Sequence, residues 1–275
     1  MSGADLRAHD VHAALAGLVA GTVSNADEDA AAFPRLAAFN QGAVYVGRFS
    51  GASPWECHPD ADELLYVLDG EVEVTLLSGP KPVLTLARAG CVLVVPRGVW
   101  HRQWAAHSVT LLTVTPDRSE ISFEVDPRTD PGICATDLRA HDVHAALAGL
   151  VAGTVSNADE DAAAFPRLAT FNQGAVYVGR FSGVSPWECH PDADELLYVL
   201  DGEVEVTLLS GPKPVLTLAR AGCVLVVPRG VWHRQWAARS VTLLAVTPDR
   251  SEISFEADPR TDPGICATAK EGDQP

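Results

Sequence analysis

Residues 5–136 return almost letter for letter as residues 137–268. The two segments of 132 positions differ only at Ala38/Thr170, Ala52/Val184, His107/Arg239, Thr113/Ala245 and Val125/Ala257. Chains this alike must fold alike, so any architecture assigned to the first copy has to be built twice. A period above 100 residues far exceeds the roughly 20–50 residues of a stacking repeat unit, and each copy is therefore expected to be a complete domain. The expected division is residues 1–136 for an N-terminal domain and 137–275 for a C-terminal domain that carries a short acidic tail. The DPRTDPG segments at 126–132 and 258–264 read as the exit linkers of the two copies.

The net charge of -16 is spread over both copies with no cluster of lysine or arginine. That balance argues against a nucleic-acid or anionic-membrane partner. No apolar run reaches the roughly 18 residues of a membrane span, and MSGADLRAHD lacks the basic start and apolar stretch of a secretory signal. The chain is expected to be soluble and cytoplasmic. Its six cysteines, three per copy, form no CxxC pair and are expected to be reduced thiols.

Residues 5–20, DLRAHDVHAALAGLVA, space leucine, valine and alanine at helical intervals and predict a short amphipathic helix carrying His9 and His12. From residue 42 the pattern becomes that of strands. GAVYVGRFSG, DELLYVLDG, EVEVTLLSG, PVLTLARAG, CVLVVP and SVTLLTVTP are short, rich in valine, leucine and threonine, and bounded by turn residues. Asp69-Gly70 between two such runs is a hairpin signal. Successive strands without intervening helices predict an all-β sandwich or barrel.

The chemistry concentrates in WECHPDADELLYVLDG, residues 55–70, repeated at 187–202. Residues two apart on a strand share a face, so Glu56 and His58 project together while Cys57 turns away, and Glu63 opens the next strand near the same place. Two carboxylates on an inner face need compensation, which a divalent cation supplies. A second histidine comes from AGCVLVVPRGVWH, residues 89–101. Here the chain resembles the cupin superfamily. The first motif of that family is met by Gly51, His58, Glu63 and Gly70, with Glu56 standing where its first histidine would be, and with four residues rather than five after Gly51. The second is met by Gly90, Pro96, Gly98 and His101, with Ala105 in place of the terminal asparagine. The second copy repeats the pattern with Glu188, His190, Glu195, Gly202, Gly222, Pro228, Gly230 and His233.

The resemblance implies two jelly-roll (double-stranded β-helix) barrels, each preceded by a short helix, with a metal between the two motifs of each. His58, Glu63 and His101, and their counterparts His190, Glu195 and His233, match family ligands; Glu56 and Glu188 match by position only. Two histidines and two glutamates around a divalent ion leave a net charge of about zero, where three histidines and one glutamate leave about +1. Such a set favours iron(II) or manganese(II), with zinc and nickel still admissible. Alternatively, Glu56 and Glu188 stay off the metal and serve as general bases. Arg48 and Gln103, with Arg180 and Gln235 in the second copy, are candidate substrate contacts. Trp55, Trp100 and Trp104 are candidates for the pocket wall or for the core.

The resemblance permits a metal-dependent oxygenase acting on a small organic molecule. It equally permits a cupin isomerase or lyase, or a non-catalytic binding and sensing module. No serine-histidine-acid or cysteine-histidine constellation offers a hydrolytic alternative. Both copies keep every inferred ligand, so two working sites are expected. Joining two barrels in one chain favours an intramolecular pseudo-dimer, and further homodimerisation stays open.

Overall fold

The computed structural model describes residues 6–22, 31–128, 138–153 and 164–261. Strands dominate it, as the alternating valine and leucine pattern requires. The chain divides into two compact units, one of His9–Gly149 with Arg167–Val178, the other of Met1–Ala8, Leu150–Pro166 and Gly179–Pro275. The boundary at 136/137 marks the duplication in sequence, whereas compactness draws segments of both copies into each unit.

In the first unit one long strand, His101–Pro116, organises the rest. It pairs antiparallel with Gly42–Ala52, Glu63–Asp69 and Glu71–Leu76, and at its first residue with Trp55–Cys57. Glu63–Asp69 also pairs with Cys91–Val95, and Glu71–Leu76 with Val83–Arg88. The result is the all-β jelly-roll class expected from sequence. Leu65, Val67, Val72, Val74, Leu76 and Leu93 fill the interior from these strands. In the second unit, His233–Pro248 takes the organising part, pairing with Glu195–Asp201, Glu203–Leu208 and Glu188 of Trp187–Cys189. Leu197, Val199, Val204, Val206, Leu208 and Leu225 fill that interior.

Two local expectations are corrected. Asp69-Gly70 does not close a hairpin, because Glu63–Asp69 and Glu71–Leu76 never pair with each other; both pair with the same long strand, at Asp69↔Thr110 and Glu73↔Trp104. Gly70 instead turns a corner. Its φ of +84° and the Ser108 carbonyl oxygen, 2.5 Å from where a Cβ would stand, exclude a side chain there. The helix expected over 5–20 is confined to Val11–Leu15. Asp10 caps it by accepting from the Ala13 N–H at 2.9 Å, and Gly17 with φ +85° follows its end. His9 lies before the cap in an extended segment, so His9 and His12 do not share a helix face.

The segment that opens the second copy completes the first unit. His141–Asp142 pairs with Cys91–Val95, the Val143 N–H donates to the Gly90 carbonyl at 3.0 Å, and the helix Val143–Leu147 follows. Leu138 enters the first core, and its carbonyl accepts from Thr85 Oγ1 at 3.1 Å. In the second unit Leu6 and Ala8 pack against the core, and the Leu6 carbonyl accepts from Thr217 Oγ1 at 2.6 Å.

Cys57, Cys91, Cys189 and Cys223 are free thiols, and Cys134 and Cys266 lie outside the described residues. So do 129–132 and 262–264 of the expected linkers. Among the described residues no helix is long and apolar enough to cross a membrane.

Leu138→Ala removes a buried side chain from the first core and should cost about 2–3 kcal/mol. Hydrogen exchange followed by mass spectrometry separates the two copies through peptides that carry His107 or Arg239. Faster exchange is expected first in the His107 peptides; loss of protection confined to the Arg239 peptides would contradict this packing.

Candidate metal centre

Strand register brings the cluster together. Glu56 stands opposite His101 on neighbouring antiparallel strands, an arrangement that puts both side chains on one face. Glu63 begins its strand opposite Val95, just before the turn that carries Gly98, whose φ is +73°. The Gly98 N–H donates to the His58 carbonyl at 2.7 Å, and the Arg97 N–H to Asp62 Oδ1 at 2.9 Å. Asp62 also exchanges a pair of hydrogen bonds with Asn172, which belongs to the same compact unit. The Pro-Arg-Gly turn thus ties the chain on either side of the PDAD loop to the approach of His101.

One ligand atom from each of Glu56, His58, Glu63 and His101 lies within 4.8 Å of all the others, and the same holds for Glu188, His190, Glu195 and His233. All eight residues named from sequence as candidate ligands therefore converge in two clusters of four. In the first, His101 Nε2 lies 3.0 Å from Glu63 Oε2 and His58 Nε2 3.6 Å from Glu63 Oε1. In the second, the corresponding distances are 3.1 and 3.5 Å. His58, Glu63 and His101 are buried, as are His190, Glu195 and His233. Glu56 and Glu188 sit at the more open side, 20% and 27% exposed. Glu56 Oε2 stands 3.9 Å from His58 Nε2 and 4.0 Å from His101 Nε2.

The outer atoms of each ligand are already occupied. His101 Nδ1 faces the Val99 carbonyl at 3.2 Å; His58 Nδ1 lies 3.0 Å from Ser119 Oγ and 3.4 Å from the Arg118 carbonyl. A proton held on Nδ1 by a carbonyl leaves the Nε2 lone pair directed inward, the form a metal binds. Thr115 Oγ1 donates to Glu63 Oε1 at 2.8 Å and lies 3.0 Å from Thr113 Oγ1. In the second copy Thr247 donates to Glu195 at 2.7 Å, Ser251 meets His190 Nδ1 at 3.0 Å, and Val231 meets His233 Nδ1 at 3.2 Å. Nε2 of His58 and of His190 is buried and makes no hydrogen bond, with a carboxylate oxygen of Glu63 or Glu195 at 3.6 or 3.5 Å. Buried unpartnered nitrogens converging on a buried carboxylate fit a divalent cation, which would satisfy all of them at once.

Burial disfavours a charged His58 ring, but the Glu63 and Glu56 carboxylates outweigh it and push the ring up to about 9; His190 is raised likewise to about 9 by Glu195 and Glu188. Burial also opposes ionisation of Glu63 and Glu195, and the facing histidines outweigh it, holding both carboxyls well below the usual carboxylate range.

The other sequence candidates fall in different places. Gln103 and Gln235 are buried on the face that carries His101 and His233. Arg48 donates from Nε to Thr110 Oγ1 at 3.1 Å and from Nη1 to the Leu18 carbonyl at 3.3 Å; Arg180 does the same with Thr242 and Leu150. Those guanidiniums hold the segment that follows each short helix. Trp55 is buried with the Arg102 guanidinium stacked over it at 4.7 Å, whereas Trp104 is 47% exposed on the outer face. Cys57 is buried, and desolvation with the nearby Glu120 pushes its thiol up to about 11, far from a reactive thiolate. The sequence reading missed Thr115, Ser119 and their counterparts. A threonine interrupting the apolar alternation of SVTLLTVTP is the signal that could have found Thr115; Ser119 sits in a turn and carried none.

The family described as Cupin domain matches residues 49–115 and 181–247. The uncharacterized protein YdbB of Bacillus subtilis (strain 168) is 30% identical over 93 residues, covering 34% of this chain and 80% of that protein. Among solved structures, a salicylate 1,2-dioxygenase from Pseudaminobacter salicylatoxidans superposes with a TM-score of 0.51 and 14% identity, over 78% of this chain and 75% of the other. An oxalate decarboxylase from B. subtilis covers the same share of this chain and 71% of its own, with 14% identity and a TM-score of 0.49. At 14% identity the likeness to the dioxygenase is one of fold.

Metal ligation requires a neutral ring at Nε2, whereas His58 and His190 stay protonated up to about pH 9 in the metal-free protein. A folded value above the ordinary 6.5 stabilises the fold fully below that pH, and the contribution is lost as the pH rises through 9. Metal-free protein should therefore lose stability between these values. Zinc or manganese added at pH 7 should expel about one proton per site, read in a weakly buffered titration. Metal uptake at pH 7 without proton release would refute the assignment of His58 and His190.

Proposed function

The chain belongs to the cupin family, with two cupin domains in tandem, and we propose that it is a metal-dependent enzyme of oxygenase type acting on a small organic molecule at two sites. The observation that carries this reading is the asymmetry of each cluster. In each cluster three donors (His58, Glu63 and His101, or His190, Glu195 and His233) are buried and fixed from behind, while the fourth, Glu56 or Glu188, is partly open to solvent.

In this reading His58, Glu63 and His101 hold the metal in the first barrel, and His190, Glu195 and His233 hold it in the second. Two nitrogens and a carboxylate, with a second carboxylate at hand, suit iron(II) or manganese(II). Either ion would supply Lewis acidity and a one-electron couple. The protein does the remainder. Thr115 and the Val99 carbonyl fix the outer atoms of Glu63 and His101, so that the donors need not reorganise. Leu76, buried opposite His101, gives the inner side of the cluster an apolar wall. Glu56 Oε2, at the open side, can take a proton from a bound hydroxyl and pass it to solvent. Glu188 has the same place in the second copy.

Elemental analysis tests the assignment. Reconstituted wild type should carry about two iron or manganese ions per chain, and Glu63→Ala or Glu195→Ala should each lose about half. The double change Glu56→Gln/Glu188→Gln should retain most of the metal while lowering turnover with any accepted substrate by about 10²-fold or more, the ordinary contribution of a general base. Loss of all metal from the double variant would make Glu56 and Glu188 ligands instead. Wild type that takes up no metal after anaerobic reconstitution sinks the enzyme reading and favours a binding module.

A further inference from the structure

We infer that Gln103 and Gln235 determine which molecules the two sites accept, selecting a compact ligand that presents a hydroxyl group to the glutamine carbonyl oxygen. This rests on the reading above, in which each cluster holds a metal and receives a small molecule.

The strand His101–Pro116 begins with strict alternation: His101, Gln103 and Ala105 are buried, and Arg102, Trp104 and Ala106 are exposed. Gln103 therefore faces the same interior as His101, about 6.5–7 Å farther along the strand. Across the sheet His101 stands opposite Leu76 and Gln103 opposite Val74, neither of which offers a polar side chain. Gln103 is only 8% exposed and Gln235 only 9%. In both copies the Oε1 atom is buried and has no hydrogen-bond partner. The main chain of Gln103 does not relieve it, since its N–H and C=O are engaged with Ser53.

A buried amide oxygen without a donor is a standing cost that natural cores avoid, so the same orphan in two copies points to a partner that arrives from outside. The partner must be a donor. Among the described residues the buried polar side chains around the first cluster include no lysine or arginine, and Arg48 is committed to Thr110 and Leu18. A ligand carboxylate turned towards Gln103 would thus meet a carbonyl oxygen and no cation. A hydroxyl instead donates its proton to Oε1 while the other end of the molecule lies at the metal. A site built to pair one hydroxyl rejects the analogue that lacks it, because the analogue leaves the amide unpaired.

Manganese-reconstituted protein, checked for two ions per chain, can be titrated with dihydroxyacetone and with hydroxyacetone, which lacks one hydroxyl. Binding is read from the manganese paramagnetic resonance signal. Wild type should prefer dihydroxyacetone by about tenfold, the ordinary worth of one buried hydrogen bond. Gln103→Leu/Gln235→Leu should abolish the preference while keeping the metal. Gln103→Glu/Gln235→Glu keeps an acceptor and should retain the preference; its loss there would overturn the inference. Equal binding of the two ketones by wild type, or binding of neither, overturns it and leaves the metal reading intact. Failure of wild type to take up manganese overturns both.

Discussion

A carboxylate buried in an apolar barrel is the constraint on which the rest depends. Glu63 sits among strands whose inward residues are leucine and valine, and an isolated charge there would cost more than a domain of this size can spare. Everything nearby answers that problem. Two imidazoles face the carboxylate, a threonine hydroxyl donates to it, and the register of three strands holds these groups within reach. Since breaking one partner of a buried charge costs more than the pair contributes, the cluster locks the turn, the loop and the strand start into one geometry. The site is therefore part of the folding argument as well as of the chemistry.

Much of this was legible in sequence because it depends on local periods. Alternation marked the strands, and two-residue spacing put Glu56 beside His58. Pro96, Gly98 and His101 have a spacing that makes sense only if the turn delivers the histidine back to the first motif, which the Gly98 N–H to His58 carbonyl bond now accounts for. What failed depended on pairing partners that a local reading cannot see. Asp69-Gly70 looks like a hairpin turn, yet its flanking strands pair with a third, distant strand, and only the close Ser108 carbonyl shows why glycine is needed. The helix was overextended because the apolar spacing of residues 5–20 continues through both the Asp10 cap and Gly17.

The exchange of leading segments was invisible for a related reason. Leu6 and Leu138 occupy the same place in their repeats, so sequence gives no basis for assigning either to one barrel or the other. The compact units resolve it: Leu138 follows the repeat boundary yet packs in the first core, and Leu6 packs in the second. Asn172 extends the pattern, since it belongs to the second copy yet holds Asp62, the neighbour of Glu63. The loop that carries a candidate ligand of one copy is thus stabilised by a residue of the other. That provides a structural reason for keeping both copies in one chain, beyond a doubling of sites.

The five differences between copies act as an internal experiment on the cluster. None replaces a candidate ligand, but one lies two hydrogen bonds away. Thr115 has a single hydroxyl proton and gives it to Glu63, so the contact with Thr113 must be a donation from Thr113 to Thr115. In the second copy Ala245 stands at that position, and Thr247 meets Glu195 without this support. A hydroxyl that accepts one hydrogen bond donates a stronger one, so the first carboxylate is more firmly polarised from behind than the second. The effect on charge at the donor oxygen is small, a fraction of one hydrogen bond. Its position nonetheless shows how a duplicated site begins to differ: the donors, fixed by the buried charge they share, stay unchanged, and variation enters through the groups that orient them.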